Sequence, residues 1–524
     1  MKQRYSFRMP SSRRGWLGEN DIDSAVDPIF SAGGLVKCRN YHMIGRGRLL
    51  KRQGWQRYLA TQINSTAAVQ GLAFYDFEGS RYLVGVSNGK IKYKSGSSWS
   101  DITGSLSPTT GQNVLTRFSF FHDGTYGNLI GADNSSNPWY WPGTGNALAL
   151  PLTLASDICP FKQHLFAINT AARATAIQFA EAGIVTSWPD ENVFDPTRDS
   201  AGVGLSLHNA ETMLAFYERS VHKINFNYGA AGALSNLFTT QLVDGSRGCR
   251  ARNSIVTYKG KTYFASDDGI YEVGDPAYPA KYISRPLENL WGGLLRSRLP
   301  YLNGFARGEP WNEIVWLAND DTSTTNNLAI VYNPVIAQMY GNDAGWSIFN
   351  SDNGYLKFNC GTSFIDSDGV HRSILGDYNG YACEAWGTEK NAVQFTDGPT
   401  EEPVGTTFET GYFDCGYEGV KGARELWVDL ELFDDRTFSI LVDTTNSSVT
   451  KTASAAIGAP ADLLGDDFIL GESYLAGSGI ATFARQLAGN GRYFRVRLTE
   501  SDDGIPHYLN AIHLLFTRKG LRER

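Results

Sequence analysis

The sequence predicts an all-β fold: a β-propeller of about seven blades, followed by a C-terminal, jelly-roll-like β-sandwich and preceded by an extended N-terminal arm. First, the 524-residue chain has 56 Gly and 13% aromatic residues, while charged residues make up 19%. This composition suits short strands joined by tight turns. Second, a strand–turn–strand pattern recurs at a spacing typical of propeller blades, about 40 to 50 residues. Third, the rhythm of that pattern changes after residue 392.

The recurring pattern is an apolar strand, a polar turn and a second strand that contains Ile, Tyr or Trp. It is seen in YLVGVSNGKIKYK (82–94) and again in NLIGADNSSNPWYW (128–141), KTYFASDDGIYEVG (261–274) and RSILGDYNGYACEAW (372–386). A blade cannot bury both faces of its sheet alone, so we expect the blades to pack around an axis. Stacked sandwiches of hairpins are the alternative. The seven units span roughly 68–105, 112–150, 155–197, 203–245, 249–291, 301–350 and 356–392.

The predicted propeller covers residues 68–392 and contains one helical patch at 284–296. A linker rich in Pro, Gly and acidic residues follows at 393–404. Residues 405–524 form the predicted sandwich, because apolar residues alternate there as in strands with one buried face. The predicted buried positions are Leu426, Val428, Leu430 and Leu432, then Phe438, Ile440 and Val442, and finally Phe494, Val496 and Leu498.

The arm, residues 1–67, differs from the rest in charge. Residues 1–57 carry a net charge of +8, whereas the whole chain carries −7. A basic arm on an acidic body suggests an anionic partner or an acidic neighbouring subunit. The arm has little apolar periodicity, so we expect it to be mobile until it lies on another subunit. Removal of residues 1–57 is then expected to leave a folded propeller that fails to assemble.

No pattern in the sequence indicates catalysis, and we predict no enzymatic activity, no catalytic residue, no metal site and no cofactor. Nearly all of the acidic pairs lie beside Gly or Asn, where Asp usually caps a tight turn. No Cys-x-x-Cys pair, His-x-x-x-His spacing or nucleotide-binding fingerprint occurs in a suitable context. We also expect no signal peptide and no membrane insertion. The acids are Asp267, Asp268, Asp366, Asp368, Asp434, Asp435, Asp502 and Asp503.

The segment GRGRLLKRQGW (45–55) brings four basic residues close together: Arg46, Arg48, Lys51 and Arg52. We predict that they contact another subunit or an adaptor protein, with DNA contact as the less favoured possibility. A surface hairpin with solvated charges is the alternative interpretation.

This region resembles the tail hub or nozzle proteins of short-tailed phages, also called packaged-DNA stabilisation proteins. The matching residues are Gly18 to Asp21, Arg39-Asn40, and Gly47 to Gly54 with Leu49, Lys51 and Arg52. The motif covers about 45 residues, and beyond it the likeness is one of architecture.

The resemblance implies a structural virion protein that is made in the host cytoplasm and located in the virion tail. Such subunits form a ring, expected to be a homo-hexamer, below the portal and adaptor proteins. The ring extends the channel for double-stranded DNA, retains the packaged genome and then lets it leave. A tail needle, fibre or tip protein is a further expected partner. The alternatives are a propeller adhesin that binds glycans and, less favoured, a propeller glycoside hydrolase.

Overall fold

A computed structural model gives a fold that is almost entirely β, with 53% of the chain in strands and 6% in helices. In the part of the chain that the structure describes, the short helices are Glu288–Gly292 and Pro334–Tyr340, with 3-10 turns at Arg252–Ser254, Arg285–Leu287 and Arg296–Tyr301. The structure describes residues 4–10, 15–20, 34–228, 237–350, 356–387, 396–397, 402–417, 419–432, 436–444, 447–455, 479–501 and 507–519.

The chain forms the predicted propeller of seven four-stranded antiparallel blades, six of them between Val69 and Asn350. In the first six blades the four strands follow one another along the chain. Their bounds are Val69–Phe77, Ser80–Ser87, Lys90–Ser95 and Ser98–Asp101 in blade 1; Arg117–His122, Gly127–Ala132, Trp139–Trp141 and Leu148–Ala149 in blade 2; Asp157–Phe161, His164–Thr170, Arg173–Phe179 and Val193–Phe194 in blade 3; Gly202–Asn209, Thr212–Tyr217, Val221–Phe226 and Phe238–Asp244 in blade 4; Val256–Tyr258, Lys261–Ala265, Ile270–Val273 and Lys281–Tyr282 in blade 5; and Asn303–Arg307, Glu313–Ala318, Leu328–Tyr332 and Trp346–Asn350 in blade 6.

The first strands of the blades line the propeller axis. Each contacts the first strand of the next blade, and the first strand of blade 7 contacts that of blade 1, so the circle is closed. The seven repeats in the sequence therefore correspond to seven blades, and the alternative of stacked sandwiches is excluded for this part of the chain.

Tight turns explain why the repeats form hairpins. In blade 1, Ser87 pairs with Lys90 across the two-residue turn Asn88-Gly89. Both turn residues have positive φ, 47° for Asn88 and 74° for Gly89. This geometry is that of a type I′ turn, whose twist matches that of paired strands and which favours Asn-Gly.

Blade 7 is completed by the N-terminal segment. Its first three strands are Phe358–Ile365, His371–Asp377 and Ala382–Ala385, and its fourth strand is Trp55–Arg57, where Trp55 pairs with Ala385. Two short strands from the predicted linker, Thr396–Asp397 and Glu402–Pro403, extend the same sheet. The propeller is thus closed by a strand that precedes its first blade in the sequence.

The sandwich combines strands from both ends of the chain. Its first sheet has the order Tyr41–Ile44, Arg48–Lys51, Tyr508–Arg518, Lys421–Leu432 and Gly479–Gly491, and Arg4–Met9 also pairs with Tyr508–Arg518. The second sheet continues from the last strand of blade 6 through Gly18–Glu19, Gly34–Arg39, Thr406–Thr410, Phe494–Glu500, Arg436–Thr444 and Ser447–Ala455.

The expectation of a mobile arm was wrong for the described residues of 1–57, because five of their six strands belong to the sandwich and the sixth closes blade 7. Trp16, Leu35, Tyr41 and Leu49 are at most 1% exposed and share one core with the C-terminal strands. The apolar positions of the arm are buried because its strands pair with strands from the far end of the chain.

The predicted core of the C-terminal strands is confirmed. The ten alternating apolar residues that the sequence analysis assigned to the sandwich core are all at most 2% exposed. The helical patch at 284–296 is shorter than predicted, since Arg285–Leu287 and Glu288–Gly292 are followed at Arg296 by a separate 3-10 turn. Among the described residues, no helix is long and apolar enough to cross a membrane.

Candidate functional site

Two of the four predicted contact residues lie at the surface. Arg46 is exposed in the turn before the strand Arg48–Lys51. Arg48 is exposed as well, but it pairs with Glu431, donates to Asn510 Oδ1 at 3.1 Å and stacks over the Tyr508 ring at 4.2 Å. A contact between either residue and another subunit stays a prediction.

Lys51 was assigned to the wrong environment by the sequence analysis. Its ammonium lies 2.8 Å from Glu500, and both side chains are completely buried. Glu500 also accepts a hydrogen bond from Thr406 Oγ1 at 3.3 Å. Lys51 therefore joins an N-terminal strand to the C-terminal part of the sandwich and is not available to a second subunit.

Arg52 is a second correction, because it is also completely buried. Its guanidinium donates to Asn40 Oδ1 at 2.7 Å, to the Gln53 carbonyl at 3.0 Å and to the Asn350 carbonyl at 3.0 Å. Asn350 ends the last strand of blade 6. Arg52 thereby ties the N-terminal segment to the propeller where the sandwich begins, a region that we call the joint.

A third buried cluster at the joint escaped the sequence analysis. His42 Nδ1 lies 2.8 Å from Glu313, whose carboxylate also accepts from Arg307 Nη1 at 2.7 Å. Arg307 donates further to Ser373 Oγ at 2.9 Å and to the Trp386 carbonyl. Residues 42 and 313 are 271 positions apart, so no local pattern could have indicated their contact.

Electrostatics at the joint follow from burial. Desolvation lowers the pKa of His42 against the raising effect of Glu313, and it lowers the pKa of Arg307 as well. We therefore take His42 as neutral near pH 7, with Nδ1–H donating to the carboxylate. Glu313 then forms one ion pair, with Arg307. The cluster is fully enclosed, which suits it to fixing the propeller against the sandwich.

The propeller axis is crossed by two arginines. Arg117 donates to Asp157 at 2.6 Å and to the Arg252 carbonyl at 2.9 Å. The guanidinium of Arg252 in turn donates to the Ala132 carbonyl of blade 2 and to the carbonyls of Leu115 and Ser156, which precede the first strands of blades 2 and 3. Burial raises the pKa of Asp157 and lowers that of Arg252 to about 10. These side chains plug the axis, so it is not an open channel.

Cavities lie on both sides of this plug. The first, about 360 Å³, is lined by Phe74, Phe118 and Phe305 and has Arg117 in its wall. The second, about 410 Å³, is lined mostly by polar residues and includes Arg252. Asn253 lines both cavities, is 5% exposed, and its Oδ1 has no hydrogen-bond partner among the described residues.

The predicted turn acids are in turns. Asp366 Oδ1 accepts the backbone N–H groups of Asp368 and Val370, each at 2.9 Å, in the turn between the first two strands of blade 7. Asp267 and Asp268 lie between the second and third strands of blade 5, on the opposite face of the propeller. The two pairs therefore cannot form one site. Asp434, Asp435, Asp502 and Asp503 lie outside the described residues.

The cysteines of the chain are buried and form no disulfide: Cys38, Cys159, Cys249, Cys360, Cys383 and Cys415. Burial raises the pKa of each thiol, for example to about 12 for Cys159 and Cys249. Thiols with such pKa values are protonated near pH 7 and unreactive. Within the described residues, no group of three His, Cys, Asp or Glu side chains is arranged to hold a metal ion.

Comparisons with known proteins assign the chain to no family. No protein-family model and no curated protein sequence matches the chain. Solved propeller structures resemble it at low identity. Raptor of Chaetomium thermophilum is 10% identical, with a TM-score of 0.40 over 64% of this chain and 30% of that chain. BBS1N, solved in complex with ARL6DN, is 11% identical, with a TM-score of 0.41 over 65% of this chain and 99% of that one. YCF48 bound to D1 peptide is 14% identical, with a TM-score of 0.37 over 65% and 97% of the respective chains.

Proposed function

We propose that the protein is a structural subunit of the virion tail, a nozzle or hub component that forms a ring below the portal and adaptor. The observation that supports the proposal most directly is the position of Gly47–Gly54, the segment by which the sequence resembles nozzle proteins. Its Lys51 and Arg52 make buried polar contacts at the sandwich and the joint. A subunit that forms part of the wall of a DNA channel needs a rigid connection between its sandwich and its propeller more than it needs a ligand-binding pocket.

The plugged axis is consistent with this role. Arg117, Asp157 and Arg252 cross the centre of the propeller, so DNA cannot thread a single subunit. A DNA channel would have to lie between subunits of a ring. The net charge of −7 fits a channel wall, because like charge weakens binding to the phosphate backbone and lets DNA slide.

The experiment is to determine the oligomeric state and location of the full chain. Negative-stain microscopy and mass photometry of the purified protein should show a closed ring with a mass six times the 57.6 kDa of the monomer. Labelling in the virion should place that ring at the tail, and particles that lack the protein should package DNA but lose it. A stable monomer that is absent from virions would contradict the proposal.

A glycan-binding adhesin is a second candidate, favoured by one observation. The first axial cavity combines aromatic walls with the unpaired amide oxygen of Asn253, and pockets of this mixed lining are typical of small-molecule sites. A glycan array probed with the full chain tests it. Binding that Asn253→Ala abolishes would favour an adhesin, and no binding to any glycan would leave the nozzle proposal alone.

A further inference from the structure

One face of the propeller is apolar where it meets solvent. We call it the loop face: the connections between the first and second strands and between the third and fourth strands of each blade, with the adjoining strand ends. Its large apolar side chains lie on blades 2 to 7 and are between 41% and 73% exposed. They include Tyr126, Ile184, Leu207, Tyr228, Tyr278 and Met339. Clusters of exposed apolar side chains mark interaction surfaces.

The loop face is also acidic. Lys259 and Lys281 are exposed bases on this face, and Lys162 pairs with Glu211 at 2.7 Å. Exposed carboxylates are more numerous in the described connections, and apart from Glu211 they form no ion pair within the described part of the chain. Examples are Asp190, Glu191, Asp275, Glu309, Asp343 and Asp368. A partner for this face should therefore be basic and should offer apolar surface.

The sandwich offers such a surface, which we call the basic corner. It lies on the first sheet, where Arg4 pairs with Thr517 and Arg8 with His513. Arg424, Arg518 and Lys519 are exposed on the neighbouring strands or just beyond them. None of these five side chains forms an ion pair in the region that the structure describes. Trp427, 40% exposed, lies in the same cross-strand row as His513 and Arg8, which adds apolar area.

The part of the loop face on blades 2 to 5 lies across the propeller from the joint, whereas Met339, Glu309, Asp343 and Asp368 lie on blades 6 and 7, beside the joint. The sandwich joins the propeller at blades 6 and 7, through the strands Trp346–Asn350 and Trp55–Arg57. Tyr126, Ile184 and Tyr228 belong to blades 2, 3 and 4, across the propeller from the joint. A basic corner on the sandwich cannot cover that distant part of the same chain's loop face, but it can cover that of a neighbour.

We propose that the loop face of one copy docks on the basic corner of the next copy. The occupant of each surface is thus a second copy of this chain. Such a head-to-tail contact is heterologous, so it repeats from copy to copy and gives a ring when the rotation closes. The inference rests on the proposed ring and names the surfaces that build it.

Charge reversal tests the contact. Variant A carries Arg8→Glu and Arg424→Glu in the basic corner. Variant B carries Asp190→Lys, Glu191→Lys and Asp275→Lys on the loop face. Each variant alone places like charges in contact, and we expect the dissociation constant of the assembly to rise by more than about tenfold. An equimolar mixture of A and B restores opposite charges at every contact and should reassemble as an alternating ring.

Mass photometry at two salt concentrations gives the assembled fraction, and circular dichroism verifies that the variants fold. The matched control is Arg219→Glu with Arg285→Glu, two exposed arginines outside the loop face, which should leave assembly unchanged. A further variant, Tyr278→Ser, removes an apolar side chain that is 68% exposed and should weaken assembly without a change in its salt dependence.

The possible outcomes distinguish an error in the two docking surfaces from an error in the proposed function. If the natural protein forms rings and variants A and B form them equally well, the proposed docking surfaces are wrong, but the proposal that the protein forms a ring is kept. If A and B each fail but their mixture also fails, the contact does not join these two surfaces. A natural protein that stays monomeric at all concentrations would overturn both proposals. Loss of binding to duplex DNA by A, with assembly unchanged, would assign the basic corner to nucleic acid instead.

Discussion

Replacing Lys51 by Met should destabilise the sandwich strongly. The lysine and Glu500 are completely buried and 2.8 Å apart, so the change leaves a carboxylate without its cation in a low-dielectric interior. Breaking a buried pair in this way costs about 3 to 5 kcal/mol. Glu500→Leu should cost a similar amount. The double variant removes both charges and should lose less stability than either single variant, because an apolar replacement of a buried pair is often neutral.

The assay is urea unfolding followed by tryptophan fluorescence, with Trp16 in the sandwich core as one reporter. A matched control is the surface pair of Arg81 and Asp76, 3.2 Å apart and 44% and 46% exposed. Arg81→Met should change the free energy of unfolding by less than about 1 kcal/mol. The argument is refuted if Lys51→Met changes the free energy of unfolding as little as Arg81→Met does. Unchanged stability combined with lost assembly would show that Lys51 contacts another subunit.

Four further outcomes follow from the structure. Deletion of residues 1–57 should give an insoluble or protease-sensitive protein in a limited-digestion assay, since it removes the strand that closes blade 7; a soluble, protease-resistant product would contradict the closure. Burial lowers the pKa of His42 and His208, so the unfolded chain binds protons first and stability should fall as pH drops below about 6.5; a melting temperature that is flat between pH 8 and pH 5 would disagree. Arg252→Met should lower the melting temperature, because it leaves buried carbonyls without a hydrogen-bond donor. An unchanged melting temperature would show that the hydrogen bonds of Arg252 across the axis do not stabilise the propeller. Asp366→Asn should cost only about 1 kcal/mol of stability and leave assembly intact, as microscopy of the variant can verify.

The sequence predicted what depends on local pattern. The type I′ turn at Asn88-Gly89 and the alternation around Val428 are visible in a few residues, and both are present in the fold. The arm was misjudged because strands such as Gly34–Arg39 find their partners more than 300 residues away, for example at Thr406–Thr410. The burial of Lys51 follows from the same pairing, and without knowledge of the partner strand a basic run looks like a surface feature.

The strand Trp55–Arg57 has a consequence for how the protein is made. It leaves the ribosome before any blade, yet its partner Ala382–Ala385 is synthesised more than 300 residues later. The strand that pairs with Arg4–Met9 is made later still, at Tyr508–Arg518. At 5 to 20 residues per second, the first strands wait roughly 15 to 100 seconds for their partners. Blades 1 to 6 can form early in synthesis, whereas blade 7 can close only once Ala382–Ala385 has been made and the sandwich only once Tyr508–Arg518 has been made. The basic charge of the N-terminal segment helps to keep it soluble during that delay.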